Sequence, residues 1–170
     1  MSQTMKKPQI AGNVFLADGC KVLGEVEIGE HSSVWYNSVI RGDLAKIQIG
    51  EYTNIQDLVT IHVNGNQPVI IEDHVTVGHS AIVHGCTIRK GSLVGMGAIV
   101  LDGAVINEET SIAAGAIVPG NKTYPPRVML MGVPARVVRE LTESEVQALY
   151  ETAERYAQKA RDAKLADNID

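Results

Sequence analysis

The sequence predicts a mainly β protein, a parallel β-helix of hexapeptide repeats followed by one C-terminal α-helix. Three observations carry that expectation. Aliphatic residues recur with a step of six across roughly residues 10–120. A small side chain usually stands four residues beyond each of them. A helix-capping signature at Thr142 opens a stretch whose apolar residues keep helical spacing.

The step begins at Ile10 and runs through Leu16, Val22, Ile28, Val34 and Ile40. After a three-residue insertion it resumes at Ile49, Ile55 and Ile61, and after a four-residue insertion at Ile71, Val77 and Val83. One residue is then dropped, and Ile88, Val94, Val100, Ile106, Ile112 and Val118 follow. All eighteen are Ile, Val or Leu. A helix, at about 3.6 residues per turn, would scatter such positions around its surface. Short strands joined by tight corners accommodate them. Three segments make one triangular coil, and coils stack about 4.8 Å apart as parallel strands. Eighteen segments make six coils. The aliphatic residue should face inward. The small residue (Cys20, Ser32, Ser38, Thr53, Ala81, Ser92, Ala98, Ala104, Thr110 or Ala116) lets the corner close. Glycines directly after the aliphatic, at 29, 50, 78 and 95, are expected to supply special backbone angles.

A solenoid must cap its ends. After Val118 the chain reads PGNKTYPPRVMLMGVPARVVREL, a Pro-rich exit over residues 121–141 that breaks the repeat. Thr142-Glu143-Ser144-Glu145 is a capping box. Val146, Leu149, Tyr150, Ala153, Tyr156, Ala157 and Ala160 follow at helical spacing and predict an amphipathic helix over 142–166, packed along the β-helix. The expected organisation is one domain, with the β-helix in residues 1–120. The tail, Asp167 to Asp170, should fray.

Composition narrows the function. A chain of 170 residues can bury one good core, and 45% apolar against 4% aromatic residues makes that core aliphatic. Fifteen basic against twenty acidic side chains give a net charge of −5 without a dense basic run, which argues against nucleic acid or an anionic membrane as partner. No apolar run follows the lysines of MSQTMKKPQI, so no secretory signal is expected, and nothing approaches the ~20 apolar residues of a membrane span. Cys20 and Cys86 lack CxxC spacing and read as reduced, packed thiols of a soluble cytoplasmic protein.

Numbering the faces places the polar residues. Face three begins at Val22, Ile40, Ile61, Val83 and Val100; the residues directly after three of these are Arg41, His62 and His84. They form one column on consecutive coils, so two imidazoles neighbour each other at a spacing that can share a tetrahedral metal. His79 stands two residues after Val77 on face two, and Asp57 occupies the same column one coil earlier. The irregular loop Val63 to Pro68 lies beside His62, where a regular solenoid would admit a ligand. His79 and the His62/His84 pair lie on different faces, both pointing outward, so a threefold homo-oligomer would bring His79 of one subunit against the pair of its neighbour. The bland alternatives stay open here: Arg41 and Asp43 as a surface ion pair, Gln56 and Asp57 as corner residues. His31 and His74 are taken as surface residues at turns.

Taken together, Arg41-Gly42-Asp43, Asn54-Ile55-Gln56-Asp57, His62, Val77-Gly78-His79-Ser80-Ala81, His84-Gly85-Cys86 and Gly132-Val133-Pro134-Ala135 resemble the γ-class carbonic anhydrases, within the left-handed β-helix family of hexapeptide proteins. The resemblance implies a homotrimer with a metal at each subunit interface, held by His62 and His84 of one subunit and His79 of the next. It implies reversible hydration of carbon dioxide to bicarbonate. By the same resemblance Gln56 orients the nucleophile or substrate, Arg41, Asp43 and Asp57 make supporting and intersubunit contacts, and Tyr156 of the last helix approaches the site. Zinc is the default ion, with iron(II) or cobalt(II) equally suited to imidazole.

One departure matters. Some enzymes of the class carry glutamates that export the proton, whereas here Leu44 follows Asp43 and the loop after His62 has no acid. A metal-binding trimeric scaffold without catalysis, or with catalysis gated by redox state, is therefore one rival. A hexapeptide acyltransferase is the other; it needs a base near an acceptor hydroxyl but no three histidines in register.

Overall fold

The aliphatic ladder faces inward. In the computed structural model, which describes residues 6–166, Ile40, Ile55, Ile61, Val77, Val83, Val94 and Val100 are fully buried. The three faces pair as the six-residue step requires. Ile40 aligns with Ile61, Ile61 with Val83 and Val83 with Val100 on face three; Val34 with Ile55, and Ile55 with Val77, on face two. Among the described residues the successive coils pair in parallel as far as Val128–Gly132, and the result is a β-helix of about seven turns with one C-terminal helix. Burying each Ile or Val contributes about 1.5–3 kcal/mol, which is how so few aromatics suffice.

The corners divide their labour between two positions. The residue three beyond the aliphatic has positive φ: His31 (61°), Asn37 (58°), Leu58 (61°), His74 (56°), Gly97 (66°) and Gly115 (67°) are examples. Glycines directly after the aliphatic do not, which corrects the expectation of special angles there. Their role is close approach: a Cβ on Gly95 would stand 2.5 Å from the Ala114 nitrogen, and one on Gly78 2.9 Å from the Met96 nitrogen. Buried corner hydroxyls tie coil to coil. Ser38 Oγ donates to the Gln56 carbonyl at 2.6 Å and accepts the Val59 N–H at 3.1 Å. Thr53 does the same with Glu72 (2.7 Å) and Val75 (3.1 Å). Each hydroxyl thus satisfies two backbone groups that the corner would otherwise strand.

The ends depart from the expected plan. Leu16 is 42% exposed, because among the described residues its strand, Phe15–Leu16, is the last of its sheet. At the other end the repeat does not stop near residue 120. Thr123–Tyr124 pairs in parallel with Val105–Ile106, and Val128–Gly132 with Ser111–Ile112. Tyr124 and Leu130 carry the six-residue step onward, while Pro125 and Pro126 fall between the two strands, where no ladder N–H is required. The chain then reverses, and Ala135–Glu140 pairs antiparallel along Val128–Gly132.

The helix spans Glu143–Ala166 and buries Val146, Leu149, Ala153, Ala157 and Ala160. Thr142 is its cap: Thr142 Oγ1 accepts the Glu145 N–H at 3.2 Å, and Glu145 Oε2 accepts the Thr142 N–H at 2.9 Å. It runs along face two, Val146 and Leu149 packing with Leu93 and Met129 of the upper coils and Ala160 with Phe15, Ala17 and Trp35 of the lower ones. No helix among the described residues is long and apolar enough to cross a membrane. The expected fraying of Asp167 to Asp170 lies outside the described residues.

Candidate metal centre

Face three brings the first pair of histidines together. Thr60–His62 and Ile82–His84 are neighbouring strands, with His84 aligned on His62 and His62 on Arg41. His62 Nδ1 and His84 Nε2 stand 3.0 Å apart. Each ring's other nitrogen meets a carboxylate: His62 Nε2 meets Asp43 Oδ1 at 2.9 Å, and His84 Nδ1 contacts Asp102 Oδ1. Arg41 holds the second oxygen of Asp43. Burial acts to raise the Asp43 carboxyl's pKa, but hydrogen bonds from His62 and Arg41 outweigh it and leave the group below the usual range.

The insertions in the repeat build the flanks of this pair. The three extra residues after Ile40 lie within one long strand, Val39–Ile49, where Gly42 and Gly24 approach so closely that a Cβ on Gly24 would meet the Gly42 oxygen at 2.2 Å. The four extra residues after Ile61 form a loop closed by an Asn64–Gln67 bridge, and Asn64 Nδ2 reaches Asp102 Oδ2 at 3.4 Å.

His79 lies elsewhere, two residues past the face-two strand Thr76–Val77. Its Nδ1 meets Asp57 Oδ2 at 2.7 Å, and Asp57 Oδ1 accepts the Tyr36 N–H at 3.2 Å. His79 opens onto a groove of about 440 Å³ between face two and the helix, with Gln56 and Tyr156 on its walls. Gln56 is buried and fixed from behind, its Nε2 donating to Asn54 Oδ1 at 3.1 Å, while Asn54 Nδ2 donates to Thr76 Oγ1 at 2.9 Å. Tyr156 packs edge-on against Trp35 at 5.6 Å, and burial together with the Asp57 carboxylate raises its hydroxyl pKa. Among the described residues of one chain, no three His, Cys, Asp or Glu side chains converge as a metal-ligand set.

The donor chemistry nonetheless suits a divalent cation. A neutral imidazole with one nitrogen bonded to a carboxylate as N–H presents a bare lone pair on the other. With both carboxylates accepting, His62 Nδ1 and His84 Nε2, which face each other across 3.0 Å, are the two nitrogens that a cation between the rings would bind. Tetrahedral coordination with Zn–N bonds of about 2.0–2.1 Å sets neighbouring nitrogens about 3.3 Å apart, so a small opening of the pair admits the ion. His79, anchored by Asp57, offers Nε2 as a third donor of the same kind.

Two features escaped the sequence reading. Asp102 stands one coil above His84 and one column over, two residues past Val100, so an aligned-column search passes it by. His74 is no simple surface residue: its ring stacks on Tyr52 at 5.0 Å and meets Tyr150 of the helix at 5.6 Å. Desolvation, with Lys90 nearby, lowers the His74 pKa. Cys86 is a packed thiol, and burial pushes it up to about 12, far from thiolate reactivity at neutral pH.

Comparison with known proteins follows the same lines. A family model described as bacterial transferase hexapeptide (six repeats) matches residues 7–42. A carbonic anhydrase of Geobacillus kaustophilus is 47% identical over 156 residues, which span 92% of this chain and 86% of that protein. The mitochondrial gamma carbonic anhydrase 2 of Arabidopsis thaliana is 41% identical over 157 residues, 89% of this chain but 56% of the plant protein. Among solved structures, a Bacillus cereus protein provisionally named an acetyltransferase superposes with a TM-score of 0.93 at 44% identity, covering 95% of this chain and 94% of that one.

Proposed function

The chain belongs to the γ-class carbonic anhydrase family of hexapeptide-repeat proteins, and we propose on that premise that it catalyses reversible hydration of carbon dioxide as a homotrimer with a metal at each subunit interface. One observation carries the reading: His62, His84 and His79 each have one ring nitrogen held by a carboxylate and the other left for a cation. His62 and His84 come from one subunit and His79 from its neighbour. Exposed apolar side chains lie along both outward regions, Leu44, Ile82 and Leu101 on the stretch that carries the histidine pair, and Leu58 and Met96 at the corner that carries His79. Apolar surface of this kind favours burial against a second copy.

Zinc is the proposed ion, iron(II) or cobalt(II) being compatible with the same donors. A divalent cation on three neutral imidazoles supplies Lewis acidity that brings the ionisation of water near pH 7. The chain's own residues do the rest. Leu93, Val94, Met96 and Ile112 give the groove an apolar wall suited to carbon dioxide, over a floor that Gly78 and Gly95 keep low. Gln56 presents its fixed amide to the reacting oxygens. Arg41 and Asp43 hold His62, and Asp57 holds His79. Tyr156 closes the helix side of the groove.

A second reading, a metal-holding scaffold without hydration, is favoured by the apolar Leu44, 60% exposed beside Asp43, and by the acid-free loop at Val63 to Pro68. Stopped-flow hydration and metal content, measured on one anaerobically purified sample, separate the readings. Near one metal per chain, with hydration that His62→Ala abolishes, is the expected result. Full metal without hydration would establish the scaffold, and absence of metal with transfer of an acyl group would move the chain to the acyltransferases.

A further inference from the structure

The three histidines share one device, but the carboxylate on His84 is the one no motif foretold. We infer that Asp102 is the positioning residue of His84, accepting the proton on Nδ1 and so fixing the tautomer whose bare Nε2 faces His62. The inference rests on the metal-site reading above and adds a residue to it.

Asp102 is placed for this by the solenoid itself. The strand that ends two residues before Asp102, Ile99–Val100, pairs in parallel with the strand of His84, Val83 aligning with Val100. The backbone at 102 is pinned from both sides: the Asp102 carbonyl accepts the Asn121 N–H at 2.9 Å, and the next residue, Gly103, donates to the Gly85 carbonyl at 2.7 Å. Asp102 Oδ1 lies on His84 Nδ1, and Oδ2 accepts Asn64 Nδ2 at 3.4 Å, so the carboxylate is steadied from the loop side too. The side chain is 35% exposed, so replacing it leaves no large cavity.

The chemistry needs the help. An imidazole in water prefers its proton on Nε2. Left to itself, His84 would turn an N–H toward His62 and offer no lone pair where the second donor is wanted. A carboxylate on Nδ1 reverses that preference, as outer partners of metal-ligating histidines do, and removing such a partner weakens metal binding by about 10- to 100-fold. Asp102 does for His84 what Asp43 does for His62 and Asp57 for His79. Its absence from the motif positions follows from geometry: it reaches His84 from the coil above rather than from the same column.

Two readouts on the full chain test this. Long-range ¹H–¹⁵N spectra of the metal-free protein report which nitrogen of His84 carries the proton, and chelator competition gives zinc affinity. Asp102→Ala should move the proton to Nε2 and weaken zinc binding about 10- to 100-fold. Asp102→Glu, which keeps a carboxylate, should recover part of both. Asn64→Ala, which frees the loop but leaves the Asp102–His84 contact, should change neither. If Asp102→Ala leaves tautomer and affinity as they were while the wild type binds zinc, the inference is overturned and the metal site stands. Equal loss in Asn64→Ala would also overturn it, by assigning the effect to loop anchoring. A wild type that binds no zinc would remove the site and this role of Asp102 together.

Discussion

A single methyl group distinguishes the two glycine classes of the solenoid. Gly95 and Gly97 sit two residues apart, yet they answer to different constraints. Gly95 has ordinary φ but no room, with the Ala114 nitrogen 2.5 Å from where a Cβ would be and that atom part of the next coil's backbone. Gly97 has room but a left-handed φ of 66°. Gly97→Ala should therefore cost about 1–2 kcal/mol from backbone conformation alone, and Gly97→Asn less, since Asn37 and Asn121 already occupy the equivalent corner. Gly95→Ala must push two coils apart and should cost clearly more than Gly97→Ala. Urea unfolding of the three variants checks the order, and equal losses at 95 and 97 would refute it. The sequence reading marks Gly95 but not Gly97, and it expects special backbone angles at Gly95 where the structure has close approach, because coil-to-coil clearance depends on the stacked neighbour rather than on the local chain. The site residues divide similarly. His62 and His84 were legible because a column is three six-residue steps plus whatever insertion the ladder shows, here the four residues after Ile61. Asp102 and the stacked His74 were not, because side-chain reach between columns and against the helix is a tertiary fact.

The cap of the C-terminal helix depends on pH. Glu145 closes the capping box, and Arg139 grips the same carboxylate at 2.7 and 2.8 Å. The Arg139 hydrogen bonds, followed by the Thr142 N–H, take the Glu145 carboxyl down to about 2, against an ordinary value of 4.5. A carboxyl depressed on folding contributes stability that is fully present above its unfolded pKa and is lost as pH falls through the folded one. The cap's contribution should thus hold above pH 4.5 and disappear as pH falls toward 2. Glu145→Gln should lack that part of the acid transition, and its near-ultraviolet signal from Trp35, which lies under Tyr156, should change less across the window. Thr142→Ala removes the reciprocal hydroxyl and should cost about 1 kcal/mol at neutral pH. Helix start and face were readable from the capping box and the apolar spacing, which are local. The continuation of strands through Tyr124 and Leu130 was not, because an aromatic had replaced the aliphatic and two prolines obscured a corner that tolerates them.

At the scale of the whole molecule, the solenoid separates His79 from His62 and His84 by a corner of the triangle, and that separation makes assembly testable by mixing. Take His62→Ala chains, which keep an intact His79, and His79→Ala chains, which keep the intact pair. Neither forms a complete site as a homo-oligomer. If sites lie within one chain, any mixture stays without them. If each site takes His79 from one subunit and the pair from the next, co-assembled trimers regain a site wherever a His62→Ala chain donates to a His79→Ala neighbour. Cyclic trimers present three equivalent, heterologous interfaces, so random assembly from equal amounts restores about one interface in four. Zinc bound after denaturation and joint refolding should therefore approach about a quarter of the wild-type content, with hydration recovering in the same proportion if the enzyme reading holds. Separate refolding followed by mixing should give none while the trimers do not exchange. Zinc at the wild-type level in His79→Ala alone would place the ion on His62 and His84 without a neighbour's help, and the outward corner carrying His79, Leu58 and Met96 would need another explanation.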